Sequence, residues 1–263
     1  MQIDRRTFLV RAAAAASALT VSPFIFGQAC ASSPDATAGL GRLLVISPHL
    51  DDAVLSCAHL IAKNPGAVVA TVFAGTPSDG SVATSWDKGC GFSSAREAMC
   101  ARREEDRIAL AHLGARPLWL ECLDSQYRNG DGAGDVASML ALVLQKYRPT
   151  TVAVPLGLGH EDHHLTHFAT LSLLAQLSDV RWLLYEEAVH GRTPWIVENR
   201  IAAFEQESGA RLQPLDSSMG RNHLLKGRAV QSYKSQLRGL GMAAWSPGTG
   251  LPEGLRQEHY WTV

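Results

Sequence analysis

Leu43-Leu44-Val45-Ile46-Ser47-Pro48-His49-Leu50-Asp51-Asp52-Ala53 is the stretch whose reading decides the fold. Four apolar residues with no polar alternation predict a strand over Leu43–Ser47 that is buried on both faces. A helical apolar pattern, Val54, Leu55, Ala58, Leu60 and Ile61, follows at once and predicts a helix over Asp52–Lys63, stopped near Asn64-Pro65-Gly66. The residues between them form a strand-to-helix turn. In an open parallel sheet such turns lie at the carboxyl ends of the strands, where ligands bind. This turn carries one imidazole and two carboxylates.

Working outward, strands and helices alternate. Strands are predicted over 67–73, 116–121, 151–155 and 181–185, and helices over 94–113, 136–147 and 164–177. Segments 75–94 and 123–134 read as long polar loops, which in compact domains are often functional. Residues 222–239 read as one helix, and the rest of the last 75 residues as irregular, with no second core. The fold expected is therefore α/β: a Rossmann-like, doubly wound, mostly parallel sheet with helices on both faces, formed by a single domain over 42–263.

Composition narrows the function. The 263 residues are 46% hydrophobic and 19% charged, and the net charge is −1 with no basic block. That points away from nucleic acid. The five cysteines include no CxxC pair, so no zinc ribbon is implied. Residues 1–31 read as an export signal: Arg5-Arg6-Thr7-Phe8-Leu9 is a twin-arginine pattern, and apolar runs lead to Ala29-Cys30-Ala31, a small-residue cleavage site. The run is interrupted by Pro23 and is shorter than the ~20 residues that span a bilayer, so no stable transmembrane segment is expected after cleavage. Gly27-Gln28-Ala29-Cys30 offers an imperfect alternative, lipidation at Cys30. A linker, 32–41, follows. The expected location is periplasmic or extracellular, where Cys90 and Cys100 are candidates for a disulfide.

A second cluster, His160-Glu161-Asp162-His163, follows the fourth strand. In sheet order 3-2-1-4-5, strands one and four are neighbours at the topological switch point, so both loops open on one crevice. His49, Asp51, Asp52, His160, Asp162 and His163 then become one candidate site. Two imidazoles and a carboxylate can close three corners of a zinc tetrahedron and leave the fourth for water. The bland alternative is that Asp51 and Asp52 merely cap a helix. His59, His112, His164 and His167 read as helix-face or packing residues.

Pro48-His49-Leu50-Asp51-Asp52-Ala53 and His160-Glu161-Asp162-His163 resemble the two motifs, (A/P)HPDDE and HPDH, of the PIG-L/LmbE superfamily of zinc-dependent N-deacetylases. Arg102-Arg103-Glu104-Glu105 ahead of Leu113-Gly114, and Tyr233-Lys234-Ser235-Gln236, match looser features of that family. The resemblance implies a metal triad of His49, Asp52 and His163, with Asp51 as general base. It implies His160 as oxyanion stabiliser or proton donor, Asp162 as the group orienting His160, and Arg102 or Arg103 on substrate. The implied cofactor is Zn2+, with Fe2+ suited to the same ligands. The implied substrate is a small molecule or glycoconjugate, by default an N-acetylglucosamine type. Rival readings are an amidase acting on a non-sugar N-acyl compound, and a catalytically silent sugar-binding protein. Leu50 and Ala53 depart from the motif's proline and glutamate, and Leu158 stands where some relatives carry a tyrosine.

Overall fold

The computed structural model describes residues 39–128, 135–174, 176–215, 222–246 and 249–263. The expected export signal, Cys30 and the expected linker up to residue 38 lie outside the described residues. In the sheet, β1 (Leu43–Ser47), β2 (Val68–Thr71), β3 (Arg116–Trp119), β4 (Thr151–Pro155) and β5 (Arg181–Tyr185) pair in parallel. The strand order is β3-β2-β1-β4-β5, extended by β7 (Tyr260–Thr262) and β6 (Gln213–Leu215), which pair antiparallel. The expected fold class is borne out, and β1 and β4 are neighbours. The chain winds one way from β1 and the other way from β4, so the turns after these two strands diverge and leave a crevice.

Strand periodicity divides the core. Leu43 and Val45 of β1 face an apolar cluster with α1 (Asp52–Lys63), α3 (Ala95–His112) and α7 (His223–Val230). Leu44 and Ile46 face the opposite cluster, with α4 (Val136–Tyr147), α5 (Glu161–Leu174) and α6 (Ile196–Ser208). Each of these side chains is at most 3% exposed, and full burial of such a residue contributes about 1.5–3 kcal/mol. The strands are therefore anchored from both sides, and the loops at their ends are held in place.

Three local expectations need correction. The fourth predicted helix begins at Glu161 instead of His164 and ends at Leu174; acidic Glu161 and Asp162 in its first turn favour the helix dipole. His163 is thus a first-turn residue of α5. Residues 222–239 form two helices, α7 and α8 (Lys234–Gly239). The chain breaks between them where the Tyr233 hydroxyl donates to Asp106 Oδ1 of α3 at 2.7 Å. The first long loop contains a short helix, α2 (Ser85–Gly89), closed by a capping box between Thr84 and Asp87. A last short helix, α9 (Glu253–Arg256), precedes β7. No described helix is long and apolar enough to cross a membrane.

Candidate metal centre

The turn after β1 is pinned by its own side chains. Ser47 Oγ donates to the His49 carbonyl at 2.7 Å and accepts from the Ala53 N–H at 3.1 Å. Asp52 Oδ2 accepts from the His49 N–H at 2.9 Å. Asp51 is the N-cap residue of α1, yet its side chain makes no capping bond. The capping alternative therefore fails for Asp51, whose buried carboxylate is turned to other use.

Three donor atoms converge. His49 Nδ1 lies 3.2 Å from Asp52 Oδ2, His163 Nε2 lies 3.1 Å from the same oxygen, and the two nitrogens are 3.3 Å apart. A tetrahedral ion with bonds of about 2.0–2.1 Å separates its ligands by about 3.3–3.4 Å. The triangle matches that spacing, so these residues fit a zinc-sized cation. Burial alone would lower both imidazoles. For His49 it is outweighed by Asp162 and Asp52, and the ring is raised well above its ordinary value. For His163 it is outweighed by Asp52, and the ring is pushed up to about 9. Asp52, despite its burial, is held well below the ordinary carboxylate value, chiefly by His163. The cluster attracts positive charge.

Each imidazole of the triangle is backed by a buried carboxylate. Asp162 Oδ2 lies 3.0 Å from His49 Nε2 and accepts from the Ser125 N–H at 2.9 Å, while Oδ1 pairs with Arg128 at 2.5 Å. A proton on His49 Nε2 leaves the Nδ1 lone pair for the centre of the triangle. Burial works against the ionised form of Asp162, but His49 first, then Ser125 and Arg128, hold it at about 2. Behind His163, Glu187 Oε1 stands 3.3 Å from Nδ1 and accepts the Gly157 and Leu158 N–H groups at 2.8 and 2.9 Å. Asp162 was expected to orient His160. Its carboxylate is 4.0 Å from His160 Nδ1 and serves His49 instead. The link to His160 runs through the Asp162 N–H, which donates to Nδ1 at 3.2 Å. That assigns the proton of neutral His160 to Nε2.

Around the triangle opens a cavity of about 730 Å³, lined by Asp51, His160, His190, Gln236, Trp86 and Asp124 among others. Asp51 is raised to about 7 by burial and by Asp52 beside it, and Gln236 Nε2 stands 3.5 Å from its Oδ2. Gln236 arrives on α8, which is moored to α3 where Ser235 donates to Glu105 through its N–H (2.9 Å) and its hydroxyl (2.6 Å). His190, on the turn after β5, packs edge-on to His163 with ring centroids 4.8 Å apart. Gly159, at φ +67°, makes room for it: a Cβ there would lie 2.6 Å from His190 Nδ1. Burial pushes His190 down to about 4.

Arg102 and Arg103 do not line the cavity. Arg102 is buried against Asp87 at 2.9 Å, and the Tyr127 hydroxyl donates to the same carboxylate at 2.8 Å. Arg103 holds the Ala74 carbonyl and Glu121. Arg102 acts on the cavity through α2, because Asp87 belongs to the same turn as Trp86. The indole closes over Gly239 of α8, where a Cβ would lie 2.8 Å from the ring. The Cys90 and Cys100 thiols are free, one buried and one exposed, so the expected disulfide is not formed.

The sequence pattern of the PIG-L family, described as GlcNAc-PI de-N-acetylase, matches residues 44–174. The chain carries a PIG-L family domain. Among solved structures, a deacetylase triple mutant from the teicoplanin biosynthetic pathway is 29% identical, with 84% of this chain and 97% of that one covered and a TM-score of 0.64. The deacetylase of an antimicrobial pseudoaglycone is 28% identical over 85% and 97%, with a TM-score of 0.62. A zinc-inhibited form of teicoplanin deacetylase is 27% identical over 84% and 97%, with a TM-score of 0.59. No curated protein matches the chain. The PIG-L match ends with α5, so Glu187, His190 and Gln236 lie beyond it. Glu187 and His190 are site residues that no sequence motif announced, whereas Gln236 closes the Tyr233-Lys234-Ser235-Gln236 stretch.

Proposed function

We propose that this PIG-L chain is a metal-dependent N-deacetylase that hydrolyses the acyl amide of an N-acetylated amino sugar or its conjugate. The observation that carries the reading is the triangle of His49 Nδ1, Asp52 Oδ2 and His163 Nε2, flanked in one cavity by a carboxylate, Asp51, and an imidazole, His160. Similarity to a deacetylase of the teicoplanin biosynthetic pathway and to a deacetylase of an antimicrobial pseudoaglycone supports it.

A divalent ion held by the triangle would supply Lewis acidity to the amide carbonyl and to water; zinc is the ion we favour, and ferrous iron suits the same donors. Asp51 is the general base: it is buried beside the triangle, takes no part in capping, and accepts the proton of the attacking water. His160 is held as the Nε2–H tautomer by the Asp162 backbone. It donates toward the developing oxyanion, then toward the departing amine. Asp162 and Glu187 fix the ring orientation and tautomer of the two ligand imidazoles. Trp86 offers a flat apolar wall on which a sugar ring can stack. The twin-arginine stretch supports export before the enzyme meets its substrate.

The test is release of free amine from N-acetylglucosamine derivatives by the purified protein, with and without chelator. Chelator-sensitive turnover is expected. A protein that binds these sugars without turnover, with its metal present, would favour the silent binding protein and overturn the deacetylase.

A further inference from the structure

The cavity has a one-sided charge. Four carboxylates reach its lining: Asp51, Asp52, Asp124 and Glu161. Among the described residues, no lysine or arginine lines it. Arg128, behind Glu161 and Asp162, is 8% exposed and spent: it pairs with these two carboxylates at 2.5 Å each, donates to the Leu123 carbonyl at 2.7 Å, and lies over the Phe73 ring. Arg102 and Arg103, whose motif position suggested substrate contact, are committed to Asp87 and Glu121. The remaining lining holds the imidazoles of His49, His160, His163 and His190 and neutral walls that include Trp86, Leu55, Val189, Leu240, Gln126 and Gln236.

A divalent ion in the triangle would be offset by Asp51 and Asp52. Asp124 would remain beyond it. A carboxylate oxygen of Asp124, one of Asp162 and a ring nitrogen of His49 all lie within 4.8 Å of one another. Gln126 donates to the Asp124 carboxylate through its N–H at 3.0 Å and its amide at 2.8 Å, which aims the group without neutralising it.

Building on the deacetylase reading, we propose that the carboxylate-lined cavity restricts the substrate to N-acyl amino sugars whose saccharide carries no phosphate or carboxylate, and favours the cationic amine product. Away from the metal triangle, an anionic substituent would meet like charges, with no lysine or arginine lining the cavity to receive it. Like-charge juxtaposition is the usual way a site rejects a near-isosteric competitor. At separations of about 7–8 Å and an effective dielectric near 20, the penalty per carboxylate corresponds to roughly 30-fold in binding.

The test compares kcat/KM for methyl N-acetylglucosaminide with that for N-acetylglucosamine 1-phosphate and 6-phosphate, using the metal-loaded full chain at low ionic strength. The uncharged sugar is expected to be preferred by roughly 30-fold or more. The preference should shrink with added salt and in Asp124→Asn and Glu161→Gln, the second of which also frees Arg128. Equal or better turnover of either phosphorylated sugar overturns the proposal. Calorimetry with glucosamine and glucosamine 6-phosphate separates this proposal from the reading beneath it. If none of the three acetylated sugars turns over, the deacetylase reading fails; tighter binding of glucosamine still upholds the charge selection, and equal binding overturns it.

Discussion

Two regions of this molecule bury charge, and they do so in opposite ways. Lys226 and Glu258 form a closed pair 2.8 Å apart, 1% and 5% exposed. Glu258 also accepts from the His59 N–H and the Tyr260 hydroxyl at 2.9 and 2.5 Å. Charge is balanced there, and neither side chain lines the cavity around His49. Around His49 the balance is broken: Asp51, Asp52, Asp162 and Glu187 crowd two imidazoles, and the arrangement faces a large cavity. The difference teaches where to look for chemistry. Balanced buried charge holds a fold together, whereas a buried cluster with carboxylates in excess, open on one side, calls for a cation and a substrate.

The comparison can be broken at either end. Asp51→Asn removes the base from the open cluster and should lower kcat by about 10²–10⁴-fold with metal content unchanged, read by turnover and elemental analysis. Lys226→Met removes the cation facing Glu258. It should cost about 3–5 kcal/mol in denaturant melts, with turnover by the folded protein preserved; lost turnover in fully folded protein would show that the closed pair is not purely structural. Glu187→Gln weakens the support behind His163 and should reduce metal affinity by about 10–100-fold, measured by competition with a chelating dye.

The smallest effect expected is one of pH. Burial acts against the Glu258 carboxylate, but Lys226 outweighs it and holds the group below its ordinary value of 4.5. The pair's contribution to stability is therefore fully present above that value and lost as pH falls through the lower folded-state value. Urea melts on the acid side should show this loss for the wild type and a flatter profile for Glu258→Gln.

Much of the scaffold was legible in the sequence, because β1, α1, α4, β4 and β5 carry their own apolar period and their own stops. The junction of His49 with His163 was legible too, through the strand order that alternation implies. The antiparallel strands β6 and β7 were not, since three residues are too few to show a period. Glu187 and His190 were missed because a loop after β5 has no pattern to mark them. Arg102 was placed on substrate by the resemblance of its helix to the family's, and its partner, Asp87, lies in a segment that read as loop, so nothing in the sequence marked their pairing. Only tertiary packing reveals that the arginine holds α2 and, through it, Trp86.

The claim beneath all of this is that the turn after β1 and the first turn of α5 share one divalent ion. Metal stoichiometry of the wild type, His49→Ala and His163→Ala, measured on folded protein after dialysis, tests it directly. One ion per chain in the wild type and loss of that ion in each variant is the predicted result; full retention in either variant would contradict it.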